Sequence, residues 1–419
     1  MKNKIDIYKN INLQGVATSG QRSITRFQKL LSIAIALSMG LGVKFFLIVF
    51  ACVVLLWSTS GRSSTFIHRM FISIISMLPA LLVLTILLCI TIINSISSPY
   101  TMFEVRDIII TIVTICILSS VAKNNNAKNY LITSFEVSLC IISIIKIIVI
   151  IYSINRGIPV FNIVKEVSEF MGWSLQSYTT SISYIARIQI PFDCVIPFVL
   201  FFTTSKFLSK ERSKKRSLII FLLILISLLL SMSRAFWAMS IALVLLSILI
   251  NANIEKIIFL ALASVLFFGV IYSLSSDAIN EIVSSRMDSN TNASSDIERD
   301  IQNRNILKKI NEKPLLGFGL GYYIPDFVRG VGDAKYTYES QALSMIMKVG
   351  FIGFISLIAS LYLMVIITDS SWNNKKVKKI FIKSFMFSGW IAMGSVNPLL
   401  FSINGAAMLY LVSKSNSAV

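Results

Sequence analysis

The sequence predicts an all-α polytopic membrane protein with about 12 transmembrane helices. The chain has 419 residues, of which 55% are hydrophobic and only 14% are charged, and its mean hydropathy is +0.77. Soluble domains carry roughly a quarter charged residues. This composition therefore excludes a soluble enzyme, a nucleic-acid-binding domain and a disordered protein as descriptions of the whole chain. The length is sufficient for about a dozen spans of ~20 residues with their loops.

Hydropathy divides the chain into four regions. Residues 1–28 form a basic tail, 29–275 hold spans 1–9 with an outer loop at 155–188, 276–340 form a large outer loop, and 341–419 hold spans 10–12 with the C-terminus. The twelve apolar segments are 29–43, 44–58, 70–94, 106–122, 130–154, 189–208, 218–232, 235–250, 257–275, 341–368, 380–396 and 398–413.

The distribution of lysine and arginine predicts the orientation. With the N-terminus inside, 21 of these residues fall in inner segments and 3 in short outer turns. Cytoplasmic loops carry such an excess, so both termini are expected in the cytoplasm. The net charge of +19 then reflects membrane topology and not nucleic-acid binding. The tail lacks the apolar core and cleavage site of a signal peptide.

The ionisable residues that stand out within predicted spans are Glu136, Lys146, Asp193, Lys348 and Lys383. Such residues are costly in lipid and are functional candidates by default. They form no chain of acids across the bilayer, as an ion pathway would need. Lys146 and Asp193 are expected to reach the outer interface, and Glu136 the inner one.

The loop at 276–340 carries ten of the twenty acidic residues. Ile297, Ile301, Ile306 and Ile310 recur at helical spacing, which predicts a helix over 297–311 that ends before Pro314. The loop is either a solvated connector or a folded cap over a site at the membrane surface.

The loop at 155–188 contains an amphipathic stretch. Its apolar face holds Val160, Ile163, Val164, Val167, Phe170 and Met171. The pattern is typical of a helix lying in the membrane interface, or of a helix packed on the bundle. Arg156 and Arg187 stand at the two ends of this loop.

Arg234 lies in a tight outer turn, Ser231 to Trp237, between two spans. A guanidinium at that depth needs an anion, and arginine binds phosphate oxygens bidentately without ever losing its charge. The anion is either a substrate phosphate or a lipid headgroup.

Several common motifs do not fit. Gly317, Gly319 and Gly321 form GxGxG, which lacks the GxGxxG spacing and preceding strand of a dinucleotide site. The single histidine is His68, and the five cysteines lie in apolar runs without metal-ligand spacing. We therefore expect no cofactor and no metal.

These pieces together resemble the bacterial O-antigen polymerase family (Wzy-type) within the O-antigen polymerase and ligase superfamily. The resemblance is carried by Ser233-Arg234-Ala235, by Arg299 fifteen residues before Pro314-Leu315-Leu316-Gly317-Phe318-Gly319-Leu320-Gly321, and by Tyr338-Glu339-Ser340-Gln341-Ala342-Leu343 running into Gly350-Phe351-Ile352-Gly353. It implies a helical fold of the GT-C kind in the bacterial inner membrane. It also implies action on glycans linked to undecaprenyl pyrophosphate at the periplasmic face.

The resemblance further implies roles for individual residues. Arg234 and Arg299 fall where the family binds pyrophosphate. Glu339 stands where ligase members often carry histidine, followed by Ser340 in place of Asn, which favours a polymerase. Arg156 and Gly172 match an R-x15-G spacing of some polymerases. The expected catalytic residues are Glu339, Arg234 and Arg299, and the expected substrate-binding residues in the two outer loops are Arg156, Arg187, Arg304 and Tyr338.

Three other functions stay open beside an inverting, metal-independent polymerase: ligation of glycan to a lipid or protein, flipping of the lipid-linked unit, and a structural role. Related halves and a charged central cavity would favour a flippase, but here the halves differ and the polar residues gather outside. A structural role gives no reason for the outer arginines. Expected partners are the lipid-linked oligosaccharide, membrane lipids, a chain-length regulator and a flippase, with no nucleic acid.

Overall fold

A computed structural model of the chain describes residues 25–60, 63–94, 100–122, 125–171, 186–208, 214–251, 289–328, 334–367 and 376–415, with a few single residues between 258 and 280. The regular elements of these residues are helices. In chain order they are α1 25–40, α2 Phe45–Ser60, α3 Ser63–Ile93, α4 Thr101–Val121, α5 Asn125–Arg156, α6 Val160–Met171, α7 Ile196–Leu208, α8 Lys214–Leu230, α9 Arg234–Ile250, α10 Ser289–Glu312, α11 Gln341–Ile367, α12 Lys376–Gly394 and α13 Ile403–Lys414. A 3₁₀ turn, Pro191–Val195, runs directly into α7.

The helices follow the apolar segments of the sequence. Eleven of the twelve predicted segments coincide with a helix, and the ninth, 257–275, lies mainly outside the described residues. Among the described residues, five helices are long and apolar enough to cross a membrane: Ser63–Ile93, Ala127–Arg156, Pro191–Leu208, Arg234–Asn251 and Gln341–Ile366. The chain is therefore a polytopic helical membrane protein, and the count of about 12 spans stays a prediction.

Burial separates central from peripheral helices. The apolar window of the segment Pro191–Leu208 is 89% buried, and α13 is buried from Asn404 to Lys414. The apolar window of α3 is only 28% buried, and large side chains such as Phe71, Leu82 and Ile93 point outwards. Apolar side chains on the outside of a bundle are expected where lipid, and not water, surrounds it. The long outer helices thus enclose a core built on α7 and α13.

Two ion pairs lie inside the bundle among α5, α8 and the segment from Pro191 to Leu208. The Lys146 ammonium lies 2.8 Å from Oδ2 of Asp193 and also donates to the hydroxyl of Ser227. Both charged side chains are almost wholly buried, so they do not extend to the outer interface as the sequence suggested. The pairing lowers the free-energy cost of burying these two charges, because an unpaired buried charge is far more costly than a pair. Glu136 is likewise buried and accepts a hydrogen bond from Lys206 at 3.0 Å.

α11 is broken at Gly350, where φ is 68° and ψ is 177°. This backbone conformation is essentially reserved for glycine. The break frees backbone N–H and carbonyl groups on both sides. The glycine-rich loop after α10, residues 313–328, pairs with these groups. Phe318 and Gly319 donate their N–H groups to the carbonyls of Met347 and Lys348, and the N–H groups of Phe351 and Ile352 donate to the carbonyls of Pro314 and Leu315. The GxGxG sequence is thus a structural element that fills a helix break.

Candidate active site

One face of the outer helix α10 packs against the glycine-rich loop and α11. The helix predicted at 297–311 is confirmed, and it begins earlier, at Ser289. Ile306 and Ile310 are buried, whereas Ile297 and Ile301 are about half exposed. Ile306 and Ile310 pack with Ile324, Tyr338 and Met347 in a small core between α10, the glycine-rich loop and α11. This core fixes the angle at which α10 crosses the start of α11. Arg299 lies on the same face, two turns before Ile306.

Arg299 meets Glu339 at this junction. The guanidinium Nε donates to Oε2 of Glu339 over 2.6 Å, and the side chains are 31% and 18% exposed. Gln302, one turn further along α10, accepts the backbone N–H of Glu339 at 3.3 Å. Two residues that the sequence selected separately, forty positions apart, therefore form one partly exposed ion pair at the entrance to α11.

Tyr338 lies behind this pair and is almost fully buried. Its hydroxyl accepts the N–H of Ile324 at 2.8 Å and donates to the carbonyl of Phe327 at 3.4 Å. Burial raises the pKa of Tyr338 to about 12, because the charged phenolate would lose its hydration. The neutral hydroxyl thus ties the glycine-rich loop to the segment carrying Glu339, which favours a positioning role over the predicted substrate contact.

Arg304 lies on a different face of α10. Five residues separate it from Arg299, a rotation of about 140° around the helix. Its side chain is 77% exposed and pairs with Asp300 on the same helix. The structure therefore does not bring Arg304 to the Arg299–Glu339 pair.

A second group of arginines surrounds the turn before α9. Arg187 donates from Nε to the carbonyl of Ser231 at 3.2 Å, and Ile188 donates its N–H to the carbonyl of Leu230 at 2.9 Å. Met232 takes a positive φ of 46° in the turn, and α9 begins at Arg234, whose side chain is exposed. The unpaired N–H groups at a helix start favour an anion there. Arg187 and Arg234 thus lie at the same turn.

The other predicted loop residues lie near the end of α5. The guanidinium of Arg156 lies 5.9 Å from the ring centroid of Tyr152, one turn earlier on the helix. The predicted amphipathic helix is confirmed as α6: Val160 and Val164 are buried and Phe170 is 88% exposed. Gly172, the second member of the predicted R-x15-G spacing, lies outside the described residues.

One group of residues beside the site was missed by sequence reasoning. Lys348, flagged as an ionisable residue within a span, pairs with Glu104 of α4 at 2.5 Å, and it also donates to the carbonyl of Tyr336 at 2.8 Å. Glu104 accepts the N–H of Gly321 at 2.6 Å through its other oxygen. Glu104 could have been noticed as an acid at the edge of an apolar run, but no local pattern connects it to Lys348.

The comparison with known families covers this part of the chain. Residues 219–358 match the family model described as O-antigen ligase. The matched stretch contains the turn before α9, the helix α10, the glycine-rich loop, the segment with Glu339 and the break at Gly350. No curated protein matches the chain.

Proposed function

We propose that the chain is a member of the O-antigen polymerase and ligase superfamily and polymerises lipid-linked repeat units of a surface polysaccharide. The match of residues 219–358 to the family model described as O-antigen ligase supports this assignment. The growing glycan would leave undecaprenyl pyrophosphate and join a second lipid-linked unit at the periplasmic face of the bacterial inner membrane. The observation that carries the proposal is the contact between Arg299 and Glu339 inside the matched domain. It combines a phosphate-binding group with a proton acceptor.

The chemistry assigns one task to each group. A hydroxyl oxygen of the acceptor sugar attacks the anomeric carbon of the donor, and the bond from that carbon to the pyrophosphate oxygen breaks. Glu339 takes the hydroxyl proton, and the lipid pyrophosphate leaves with the electron pair. Negative charge grows on the phosphate oxygens, which Arg299 and Arg234 stabilise as fixed cations. Attack opposite the leaving group inverts the anomeric centre.

Arg299 can serve both partners. A guanidinium carries five N–H donors in a rigid fork, so it can hold a carboxylate and a phosphate together. Its bond to Glu339 would keep the proton acceptor at a defined position beside the leaving group. Arg187 would extend the phosphate-binding surface next to Arg234, and Arg156 would contact the substrate further out. The reaction as proposed uses no metal.

The proposed topology places both termini in the cytoplasm and residues 276–340 in the periplasm. It is supported by the bias of lysine and arginine towards the inner loops. Single cysteines introduced at Ser289 and Lys214 test it in a variant lacking the native cysteines. A membrane-impermeant maleimide should label position 289 of intact spheroplasts and leave 214 unlabelled. Labelling of position 214 from outside would refute this orientation.

The polymerase assignment is tested by reconstituting the purified chain in liposomes with lipid-linked repeat units. A ladder of products, each longer by one unit, is expected on a gel. The family description favours a second candidate, an O-antigen ligase-type transferase. Such an enzyme would make no ladder and would move a preformed glycan onto a lipid or protein acceptor. Movement of the lipid-linked unit across the bilayer without any new glycosidic bond would instead identify a flippase.

A further inference from the structure

A cluster of aromatic and charged side chains includes Tyr336, which lies in the segment that carries Glu339. Tyr100, just before α4, packs against Tyr323 with ring centroids 5.5 Å apart and stacks on Tyr336 at 6.1 Å. The hydroxyl of Tyr336 donates to Oδ2 of Asp107 at 2.9 Å, while Arg106 donates to Oδ1 at 3.0 Å. The cluster thus combines three rings with one oriented carboxylate and one guanidinium.

Contacts between the start of α4 and the glycine-rich loop support the cluster. Thr101 donates its hydroxyl to the carbonyl of Leu320 at 2.7 Å, and Gly321 packs so closely on the backbone of Thr101 that a side chain would collide with it. These contacts fix the start of α4 against the loop that carries Tyr323. The buried ion pair of Lys348 and Glu104 lies next to the same loop and binds the carbonyl of Tyr336. A binding surface built on such supports is set before any ligand arrives.

The accessible part of the cluster has the character of a sugar site. Tyr336 is buried, whereas Tyr100 and Tyr323 are partly exposed, and the side chains of Asp107 and Arg106 are 27% and 59% exposed. The apolar C–H faces of pyranose rings pack on aromatic rings, and paired carboxylate and guanidinium groups bind sugar hydroxyls. Because Asp107 and Arg106 neutralise each other, the cluster favours an uncharged ligand over the pyrophosphate.

The position of the cluster relates it to the reaction. Tyr336 and Glu339 are three residues apart, so their Cα atoms are separated by at most roughly 11 Å. We propose that Tyr100, Tyr323, Asp107 and Arg106 form a subsite for the neutral glycan of the acceptor unit. This inference rests on the proposed function, and it deepens it by assigning the acceptor sugars to residues at the start of α4 and on the glycine-rich loop.

The direct test uses the free repeat-unit oligosaccharide, released from its lipid pyrophosphate by mild acid, and the purified full-length chain in detergent. Saturation-transfer NMR should show contact through the pyranose ring protons, and these protons should shift upfield because they face aromatic rings. This measurement uses only the wild-type protein, so it does not depend on whether a variant folds. Absence of both signals at millimolar oligosaccharide would overturn the subsite.

Substitutions within the cluster test whether the NMR signals of the oligosaccharide arise from binding there. Tyr323→Leu, Tyr100→Leu and Asp107→Asn should each weaken oligosaccharide binding about tenfold or more. They should also raise KM for the lipid-linked unit and change kcat little, because they act on binding and not on the bond-breaking step. Tyr323→Phe keeps the ring and should lose less than Tyr323→Leu. The matched control is Phe170→Leu, an 88% exposed aromatic on α6, which should bind as the wild type does.

The two proposals fail in different ways. If the wild type binds the oligosaccharide through Tyr323 but forms no ladder, the subsite stands and the polymerase assignment falls. If the ladder forms and the Tyr100, Tyr323 and Asp107 variants match the wild type in binding and KM, the subsite is refuted and the polymerase assignment stands.

Discussion

The Nε atom of Arg299 lies 2.6 Å from Oε2 of Glu339, and this contact joins the outer helix α10 to the start of α11. The pair is partly exposed, so its net contribution to stability is small, at about 0–1 kcal/mol. A weak structural contribution combined with two reactive groups is the pattern expected of a functional pair.

Exchanging the two charges separates a structural from a chemical role. The double variant Arg299→Glu with Glu339→Arg keeps an ion pair at the junction, and its melting temperature in detergent should match the wild type. Polymerisation should nevertheless be abolished, because the cation and the proton acceptor have changed places. Single charge reversals are the controls, and each should lose both activity and some stability. Recovery of activity in the double variant would mean that the pair is a structural contact without a chemical role.

Arg234 should be essential through its guanidinium fork. Arg234→Ala should lose polymerisation while the protein remains in the membrane in normal amounts. Arg234→Lys should recover only part of the rate, since an ammonium is a point charge without bidentate geometry. Initial rates of ladder formation measure both effects. Lys308→Ala, which removes an exposed cation from α10, is the matched control for net charge. Wild-type rates in Arg234→Ala would remove this residue from the mechanism.

Gly350→Ala should destabilise the fold. Its backbone conformation alone costs a non-glycine residue about 1–3 kcal/mol. The added Cβ would also collide with the carbonyl group of Leu315, which belongs to the loop that fills the helix break. Gly157→Ala is the control, because Gly157 also has a positive φ but nothing lies near its missing Cβ. Thermal unfolding should show a clearly larger loss for Gly350→Ala, and equal losses would mean that the close approach is unimportant.

Tyr338 should make stability depend on alkaline pH. Its folded pKa of about 12 exceeds the ~10 of an unfolded tyrosine, so the fold binds this proton more tightly. The stabilisation is complete below pH ~10 and is lost as the pH rises through about 12. Tyr338→Phe should cost about 1–3 kcal/mol at neutral pH, because the buried N–H of Ile324 loses its acceptor. Its stability should also fall less steeply than that of the wild type between pH 10 and 12. Parallel pH profiles would contradict this.

The sequence was most informative where a pattern is local. The helical spacing of isoleucines located α10, the amphipathic stretch located α6, and the apolar runs located the bundle helices. The break at Gly350 could not be predicted, because residues 341–368 read as one continuous apolar helix. Only the carbonyls and N–H groups supplied by the loop at 314–319 make the broken form stable, and that loop approaches through tertiary packing.

Ion pairs between residues that lie far apart along the chain could not be predicted from the sequence either. Lys348 and Glu104 are 244 positions apart, and Lys146 and Asp193 are 47 apart. Each of Lys146, Asp193 and Lys348 stood out as a charge in an apolar segment. Because the sequence does not show that Lys146 and Asp193 are partners, we expected their side chains to extend to the outer membrane interface. The sequence assigned Arg299 and Arg304 to the same substrate region, and only the packing of α10 shows that Arg299 pairs with Glu339 while Arg304 pairs with Asp300.

The rate of ladder formation by Glu339→Gln, in liposomes containing lipid-linked repeat units, tests whether Glu339 takes the proton of the acceptor hydroxyl. Gln keeps the shape of the side chain and can still accept a hydrogen bond from Arg299, but it cannot take the acceptor proton. General-base assistance contributes about 10²–10⁴-fold to rate, so we expect Glu339→Gln to lose at least about a hundredfold. A Glu339→Gln rate within a few-fold of wild type would contradict the assignment of Glu339 as the proton acceptor.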